Sequence, residues 1–430
     1  MPRFTLIRSP ILRDLCIPSG SLASLAAGGQ VYTPSSYLSE MPLTQYISRS
    51  GKPFGNEWRF LCACASPLPL PTAKLSSLTE GLNWDALLEL AGDHRVLGVV
   101  AARCRETGFA EVPDRAREKL QSRMRAQQLF SLSMTAELFR ILEQFERAGI
   151  ESLLVKGPLV SQLAYGDPSV RSYVDLDLIV RHEAILRASQ IMSAQGFEAD
   201  VPEEAIRAEK IPGEYLFGRA GTREMVELHT EKTFRYYPRP MRIADLFARQ
   251  RQVLLDGKPI RTLSLEDEFV LNCIHGAKHF WERLMWTADI AAMVTRCPEI
   301  NWRQTRRAAE DVGAGRMLRV ALLLAESLLQ APVPEEMAAE TKADVTARNL
   351  VQQILGWMPG AGYTPPPLAQ RAMFRVRMGG GLYSGGLYLL RLSLSPTEDD
   401  WRAEEGQQSS RIWGAMKRPF RLLRKYGQGG

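Results

Sequence analysis

The chain has 430 residues, of which 24% are charged and 45% hydrophobic, and its formal net charge is +6. This length exceeds what one domain usually needs, and the composition is that of an ordinary globular protein. No stretch reaches the roughly 18 consecutive apolar residues of a membrane-spanning helix, and no secretory signal opens the chain. We therefore expect a cytoplasmic protein.

Residues 1–55 are rich in Ser, Gly and Pro and show no sustained periodicity, which predicts a disordered extension. Residues 56–150 predict an N-terminal helical region. It starts with the short helix WRFLCACA, continues with a helical pattern capped by Asn83, and ends with a long amphipathic helix from Asp114 to Arg147.

The periodicity changes in residues 151–264. Apolar runs at 150–155, 173–180 and 225–229 predict strands, and helical patterns follow Pro158 and cover residues 182–195. This alternation predicts a small mixed sheet, so we expect an α+β protein with this sheet embedded in a largely helical chain. Residues 265–358 predict a helical domain, and residues 359–430 predict a Pro- and Gly-rich segment followed by a basic tail.

From residue 411 onward, the C-terminal tail carries six cationic residues and no acidic residue, so its charge equals the net charge of the whole chain. The nearly neutral remainder gives no specific nucleic-acid signal. Because basic and apolar side chains alternate in the tail, we expect it to dock on the body, with weak contact to a membrane surface, an acidic partner or an RNA backbone as alternatives. These cations are Arg411, Lys417, Arg418, Arg421, Arg424 and Lys425.

The six cysteines are scattered along the chain, and only Cys62 and Cys64 lie close together. A single C-x-C pair is a weak indication of zinc. We therefore expect reduced, mostly buried thiols, without a disulfide framework or a structural zinc.

The most informative segment is KGPLVSQLAYGDPSVRSYVDLDLIV, residues 156–180. On a strand, residues two apart share a face, so Asp175 and Asp177 would present two carboxylates side by side. Two adjacent like charges are costly to bury unless a cation compensates them, and Mg²⁺ prefers carboxylate and phosphate oxygens. The pattern therefore predicts a magnesium site.

This segment resembles the nucleotidyltransferase superfamily, and most closely the uncharacterised bacterial nucleotidyltransferase family. It is also related to the K-G and D-x-D pattern of abortive-infection nucleotidyltransferase toxins, but lacks their second Gly and their Thr. The resemblance covers residues 55–426 and implies a nucleotidyltransferase core. It implies that Asp175 and Asp177 hold two Mg²⁺ ions. Glu227, in VELHT, would complete the site as a ligand or act as the base, with a surface position on its strand as the alternative.

Lys156 and Gly157 lie where the first strand meets a helix, a position that can bind phosphate. The superfamily usually has Gly-Ser there, and Pro158 has no N–H, so the phosphate contacts are expected to differ. Arg171 could reach phosphate or form an ion pair with Asp175.

Four further residues are candidates for a pocket around the site. Tyr165 belongs to the motif itself, and His229 shares a strand face with Glu227, with a packed histidine as its alternative. His275 and His279 lie four apart on one helix face, and their spacing suits zinc, but no E-x-x-H motif accompanies them. We expect these two to shape a pocket or interdomain packing.

The resemblance implies transfer of a nucleoside monophosphate from a nucleoside triphosphate to an unidentified acceptor. Two alternatives stay open. One is a toxin-like enzyme that modifies protein or tRNA, and the other is a non-catalytic module that binds a nucleotide or a partner.

Overall fold

The structure is a computed structural model. It describes residues 55–207, 213–230, 239, 242–358, 367–381, 384–387 and 390. The predicted N-terminal extension, apart from residue 55, and the basic tail lie outside the described residues.

From residue 55, where the described part of the chain starts, five helices precede the sheet: α1 Asn56–Ala65, α2 Thr72–Thr79, α3 Trp84–Asp93, α4 Leu97–Glu106 and α5 Asp114–Arg147. The long helix and the Asn83 cap are confirmed, since the Asn83 side chain accepts the Ala86 N–H at 3.1 Å. The prediction of one helical stretch after Asn83 was wrong. Arg95 has a left-handed backbone, with φ 56°, which ends the α-helical path and separates α3 from α4.

The described residues form one sheet of seven strands in the order β3-β4-β5-β2-β1-β7-β6. β2 runs antiparallel to β1 and parallel to β5, and β1 runs parallel to β7. The strands are β1 Ser152–Val155, β2 Leu176–Val180, β3 Glu198–Ala199, β4 Glu214–Gly218, β5 Met225–His229, β6 Arg251–Leu255 and β7 Lys258–Thr262. The predicted mixed sheet within an α+β, largely helical protein is thus confirmed.

The sheet is larger than the sequence predicted, because β3, β4, β6 and β7 were missed. These strands lie towards the two edges of the sheet and carry several exposed or half-buried positions, so they lack the apolar runs of the central strands. The predicted second strand was also too long. β2 begins at Leu176, so Asp175 precedes it.

Four helices lie among the described residues of the sheet region: α6 Gly157–Tyr165, α7 Ile185–Ala194, α8 Glu203–Arg207 and α9 Ile243–Ala248. A 3₁₀ turn at His182–Ala184 leads into α7, so the helical prediction for 182–195 is confirmed.

In the described part of the chain after the sheet there are seven helices: α10 Leu265–Lys278, α11 Leu284–Arg296, α12 Trp302–Asp311, α13 Gly315–Leu329, α14 Glu335–Ala343, α15 Val345–Trp357 and α16 Leu368–Met378. The predicted helical domain of residues 265–358 is interrupted at 279–283, where Phe280 and Trp281 both have positive φ. The indole of Trp281 turns back onto Gly276, where a Cβ would lie 2.7 Å from the ring.

The two faces of the sheet pack into two apolar clusters. Leu153, Val155 and Ile179 belong to a cluster that includes both the first helices and the helices after residue 265. Leu154 and Leu178 belong to a second cluster with α5 and α7. The helical regions before and after the sheet therefore share one core over one sheet face.

The five described cysteines are free and buried, as the sequence predicted. Burial raises the pKa of the Cys104 thiol to about 12, so this thiol is an unreactive part of the core. Among the residues that the structure describes, no helix is long and apolar enough to cross a membrane.

Candidate functional site

Two parallel strands bring three polar side chains to one sheet face. β2 pairs with β5 so that Asp177 lies opposite Glu227 and Ile179 lies opposite His229. Because alternate residues of a strand share a face, the side chains of Asp177, Glu227 and His229 meet. The Nε2 atom of His229 lies 2.8 Å from Oδ1 of Asp177 and 3.5 Å from Oε2 of Glu227. Strand pairing thus joins VELHT to the D-x-D motif.

Asp175 lies near these residues, although it is not part of β2. Burial and then the charge of Asp177 raise its pKa, while Lys156 opposes this shift. Ligand atoms of Asp177, Glu227 and His229 lie within 4.8 Å of one another and could bind a metal ion. His229 therefore joins this group where the sequence predicted Asp175, whose role as a ligand stays a prediction.

Lys156 is the cation of this cluster. Its Nζ donates to Oδ1 of Asp177 at 2.6 Å; the Asp177 side chain is buried and that of Lys156 is half-buried. Burial alone would lower the pKa of Lys156 and raise that of Asp177. The attraction between the two outweighs burial, so the pKa of Lys156 is raised and that of Asp177 is held well below its usual range. Lys156 thus keeps Asp177 ionised.

Among the described residues, no Lys or Arg forms an ion pair with Glu227. Burial and then the negative charge of Asp177 raise its pKa well above the ordinary value, and Glu214 and Asp175 add to the shift. Several carboxylates therefore surround one lysine. Such a group releases repulsion when it binds a further positive charge.

The donor atoms fit a divalent cation. Asp177 and Glu227 supply the carboxylate oxygens that Mg²⁺ prefers, and Oδ2 of Asp177 forms no hydrogen bond with a described residue. The imidazole nitrogen of His229 is a donor more typical of transition metals. The chain therefore offers a mixed oxygen and nitrogen site, and the identity and number of its metals stay predictions.

The turn between β1 and α6 is held in an unusual conformation. Lys156 has φ 53° and Gly157 has φ 41°, and the Lys156 N–H donates to Oε1 of Glu268 at 3.0 Å. A Cβ on Gly157 would lie 3.4 Å from the carbonyl oxygen of Asp175. Glycine thus lets this turn approach the backbone before β2, and phosphate binding here stays a prediction.

Arg171 is paired with a residue outside the sheet. Its Nε donates to Oδ2 of Asp289 at 2.7 Å, and both residues are buried. The Tyr165 hydroxyl donates to the other oxygen, Oδ1, at 2.9 Å. Arg171 and Tyr165 thus fasten the motif to α11. The ion pair of Arg171 is with Asp289 and not with Asp175, and its contact with phosphate stays a prediction.

His275 and His279 belong to an aromatic cluster. Their ring centroids are 4.8 Å apart, and the indole of Trp286 stacks on His279 at 5.0 Å and meets His275 edge-on. Burial lowers the pKa of both histidines well below the ordinary value, and the charge of Lys156 contributes. The two rings are therefore neutral and lie near Lys156, and the metal-binding group found among the described residues does not include them.

Two charged residues near the cluster were not identified from the sequence. Glu268, in α10, is 1% exposed and contacts Lys156. Arg95, between α3 and α4, is partly buried and interacts with the charge of Asp175. Both lie in segments with a helical pattern, where a charged residue ordinarily faces solvent. No signal in the sequence distinguishes them from surface residues.

Comparison with known proteins gives one family and one solved structure. The profile of a family described as uncharacterised nucleotidyltransferase matches residues 80–330. The chain is also similar to the crystal structure of an antigenic nucleotidyltransferase-like protein from Paracoccidioides brasiliensis. The identity is 17% and the TM-score 0.29, over 50% of this chain and 96% of that chain. No curated protein matches the chain.

Proposed function

The chain belongs to the uncharacterised nucleotidyltransferase family, and we propose that it is a metal-dependent enzyme that transfers a nucleoside monophosphate from a nucleoside triphosphate to an acceptor hydroxyl. The observation that carries the proposal is the meeting of Asp177, Glu227 and His229 on two parallel strands, with Lys156 bonded to Asp177. Carboxylates and a cation at one point are what the transfer of a charged phosphoryl group requires.

The reaction forms one bond and breaks another. The acceptor oxygen attacks the α-phosphorus, the bond between the α-phosphorus and the bridging oxygen to the β-phosphorus breaks, and pyrophosphate leaves with that oxygen. The hydroxyl proton must go to a base. Glu227 is our candidate for this base, as the alternative to its role as a ligand of the metal.

Asp175, Asp177 and Glu227 would hold Mg²⁺, in two ions as the resemblance implies. When bound, the metal would supply positive charge to the phosphate oxygens. Lys156 adds a fixed charge beside Asp177. The Nε2 atom of His229 lies 2.8 Å from Oδ1 of Asp177 and so orients this carboxylate.

The test is pyrophosphate release from ATP, CTP, GTP and UTP with Mg²⁺ or Mn²⁺, with cell extract as the pool of acceptors. We expect Asp177→Asn and Glu227→Gln each to lose at least about 100-fold in rate. Asp93→Asn makes the same chemical change at an exposed position of α3 and should keep the wild-type rate. Wild-type rates in both site variants would refute the proposal.

The same assay with nucleotides labelled at the α-phosphate identifies the class of acceptor. Label in protein or tRNA would favour the toxin-like alternative, and label in a small molecule would favour a metabolic acceptor.

A nucleotide-binding module without turnover is the second candidate. The observation in its favour is the ion pair between Lys156 and Asp177. In this pair the charge of Lys156 already compensates that of a carboxylate that the reaction needs for binding its metal. Metal-dependent nucleotide binding without pyrophosphate release from any of the four nucleotides would support this candidate.

A further inference from the structure

Two hydrogen bonds join the turn between α3 and α4 to the start of α11. The carbonyl oxygen of His94 accepts the Met285 N–H at 3.2 Å, and the Nδ1 atom of its ring accepts the Leu284 N–H, also at 3.2 Å. Arg95 follows His94 in the chain, and Arg283 immediately precedes α11. The two hydrogen bonds therefore bring the backbones that carry Arg95 and Arg283 together.

The same region packs against the loop before β2. In α4, a Cβ on Gly98 would lie only 2.0 Å from the carbonyl oxygen of Val170. In α5, the Gln127 side-chain amide donates to the carbonyl oxygens of Ser169 and Val170 at 2.7 and 3.0 Å. This loop continues directly into Arg171 and then Asp175. Arg95 is thus held between the start of α11 and the approach to the carboxylate cluster.

The Arg95 side chain forms no hydrogen bond or ion pair with any described residue, although it is partly buried. Arg283 has one contact with a carboxylate, to Glu282 at 4.0 Å. Burial and then the charges of Arg283 and Arg171 lower the pKa of Arg95 to about 10, while Asp175 acts in the opposite direction. Neighbouring cations repel each other, and an anion between Arg95 and Arg283 would relieve this repulsion.

The backbone of Arg95 is also unfavourable, since a non-glycine residue with φ 56° is uncommon. Such conformations persist where the surroundings impose them, and they concentrate at ligand-binding sites. Here the hydrogen bonds of His94 to α11 fix the turn. The charge of Arg95 in this turn interacts with that of Asp175.

We infer that Arg95 and Arg283 form an anion-binding pair that holds the phosphate chain of the nucleotide beside Asp175. This inference rests on the proposed function and extends it to helices outside the sheet. Guanidinium groups bind phosphate oxygens through paired hydrogen bonds, and two of them suit an extended polyanion. The carboxylates of the D-x-D motif would face the same phosphates through the metal, so the phosphate chain would lie between sheet and helices.

The test is calorimetric binding of inorganic tripolyphosphate with Mg²⁺ to the full chain. We expect Arg95→Gln and Arg283→Gln each to weaken binding by about 10- to 100-fold, and Arg95→Lys to restore part of it. Arg307→Gln is the matched control, because Arg307 is exposed on α12. Thermal unfolding is the second readout. Since Arg95 has no described partner to lose, Arg95→Gln should not lower the melting temperature.

Undiminished tripolyphosphate binding in the Arg95→Gln/Arg283→Gln double variant would overturn the inference, as would a wild-type chain that does not bind tripolyphosphate. Phenyl phosphate, a monoester, tests an acceptor phosphate instead. If the double variant loses phenyl phosphate but keeps tripolyphosphate, the assignment to the nucleotide is wrong. If the double variant loses tripolyphosphate binding and the wild type releases no pyrophosphate, the inference is supported and the proposed reaction fails. If the wild type releases pyrophosphate and the double variant binds tripolyphosphate like the wild type, the proposed reaction is supported and the inference fails.

Discussion

Glu268 provides a quantitative test of the electrostatics around the turn between β1 and α6. Its Oε1 accepts the Lys156 N–H at 3.0 Å and the Asn272 side-chain amide at 2.9 Å, while Oε2 is buried without a partner among the described residues. Burial raises the pKa of Glu268 from an ordinary 4.5 to about 7, against the opposing effect of these hydrogen bonds. The folded protein therefore keeps a proton that the unfolded chain has released.

The sign of the pH dependence follows from this proton. Between pH 4.5 and pH 7 the folded state binds more protons at Glu268 than the unfolded state, so the contribution of Glu268 to stability falls as the pH rises through this range. It is constant above pH 7. With 1.36 kcal/mol for each pH unit, the loss is about 3 kcal/mol across the range.

Glu268→Gln has no proton to release and keeps an oxygen to accept the Lys156 N–H. We expect the free energy of unfolding of the variant, relative to wild type, to increase by about 3 kcal/mol between about pH 4.5 and pH 7.5. Urea denaturation followed by circular dichroism, at several pH values, measures this difference. Other titrating carboxylates of the cluster are present in both proteins and largely cancel.

The control is Glu118→Gln, the same change at an exposed position of α5. A constant difference between Glu268→Gln and wild type over the whole pH range would refute the reasoning, because it would mean that Glu268 is ionised in the folded protein at pH 5.

Two further predictions concern packing and a buried ion pair. Gly276→Ala should destabilise the protein by about 1–3 kcal/mol, since its Cβ would lie 2.7 Å from the buried Trp281 ring. The control Gly356→Ala, in a helix with open space around the residue, should stabilise the protein by about 0.5–1 kcal/mol. Equal effects of the two substitutions in urea denaturation would contradict this prediction. Glu137→Ala should lower the free energy of unfolding by about 2 kcal/mol, because the buried Glu137 carboxylate accepts two hydrogen bonds from Arg219, at 2.9 and 3.2 Å. An unchanged midpoint of urea denaturation would show that these hydrogen bonds do not stabilise the protein.

The edge hairpin shows a structure that the sequence contained but that was not predicted. β6 and β7 are joined by Asp256-Gly257, both with positive φ. Asp-Gly between two short strands is a strong hairpin signal. The prediction missed it because β6 and β7 mix polar residues among few apolar ones, whereas the apolar runs of β1, β2 and β5 were recognised.

The sequence by itself determined the central strands, the long helix and the family, because these depend on local periodicity and on a motif contained in residues 156–180. It also identified Lys156 and Asp177, which lie in that motif and are bonded in the structure. Residues close together in the chain constrain each other through backbone geometry, so features that depend on them can be predicted without a three-dimensional structure.

Only the tertiary structure decided which distant side chains meet. The parallel register of β2 and β5 places His229 on Asp177, and the packing of α11 gives Arg171 its partner Asp289. A slip of one residue in that register would turn His229 to the other face of the sheet. Such contacts depend on how whole elements pack, so the residues of one element do not specify them.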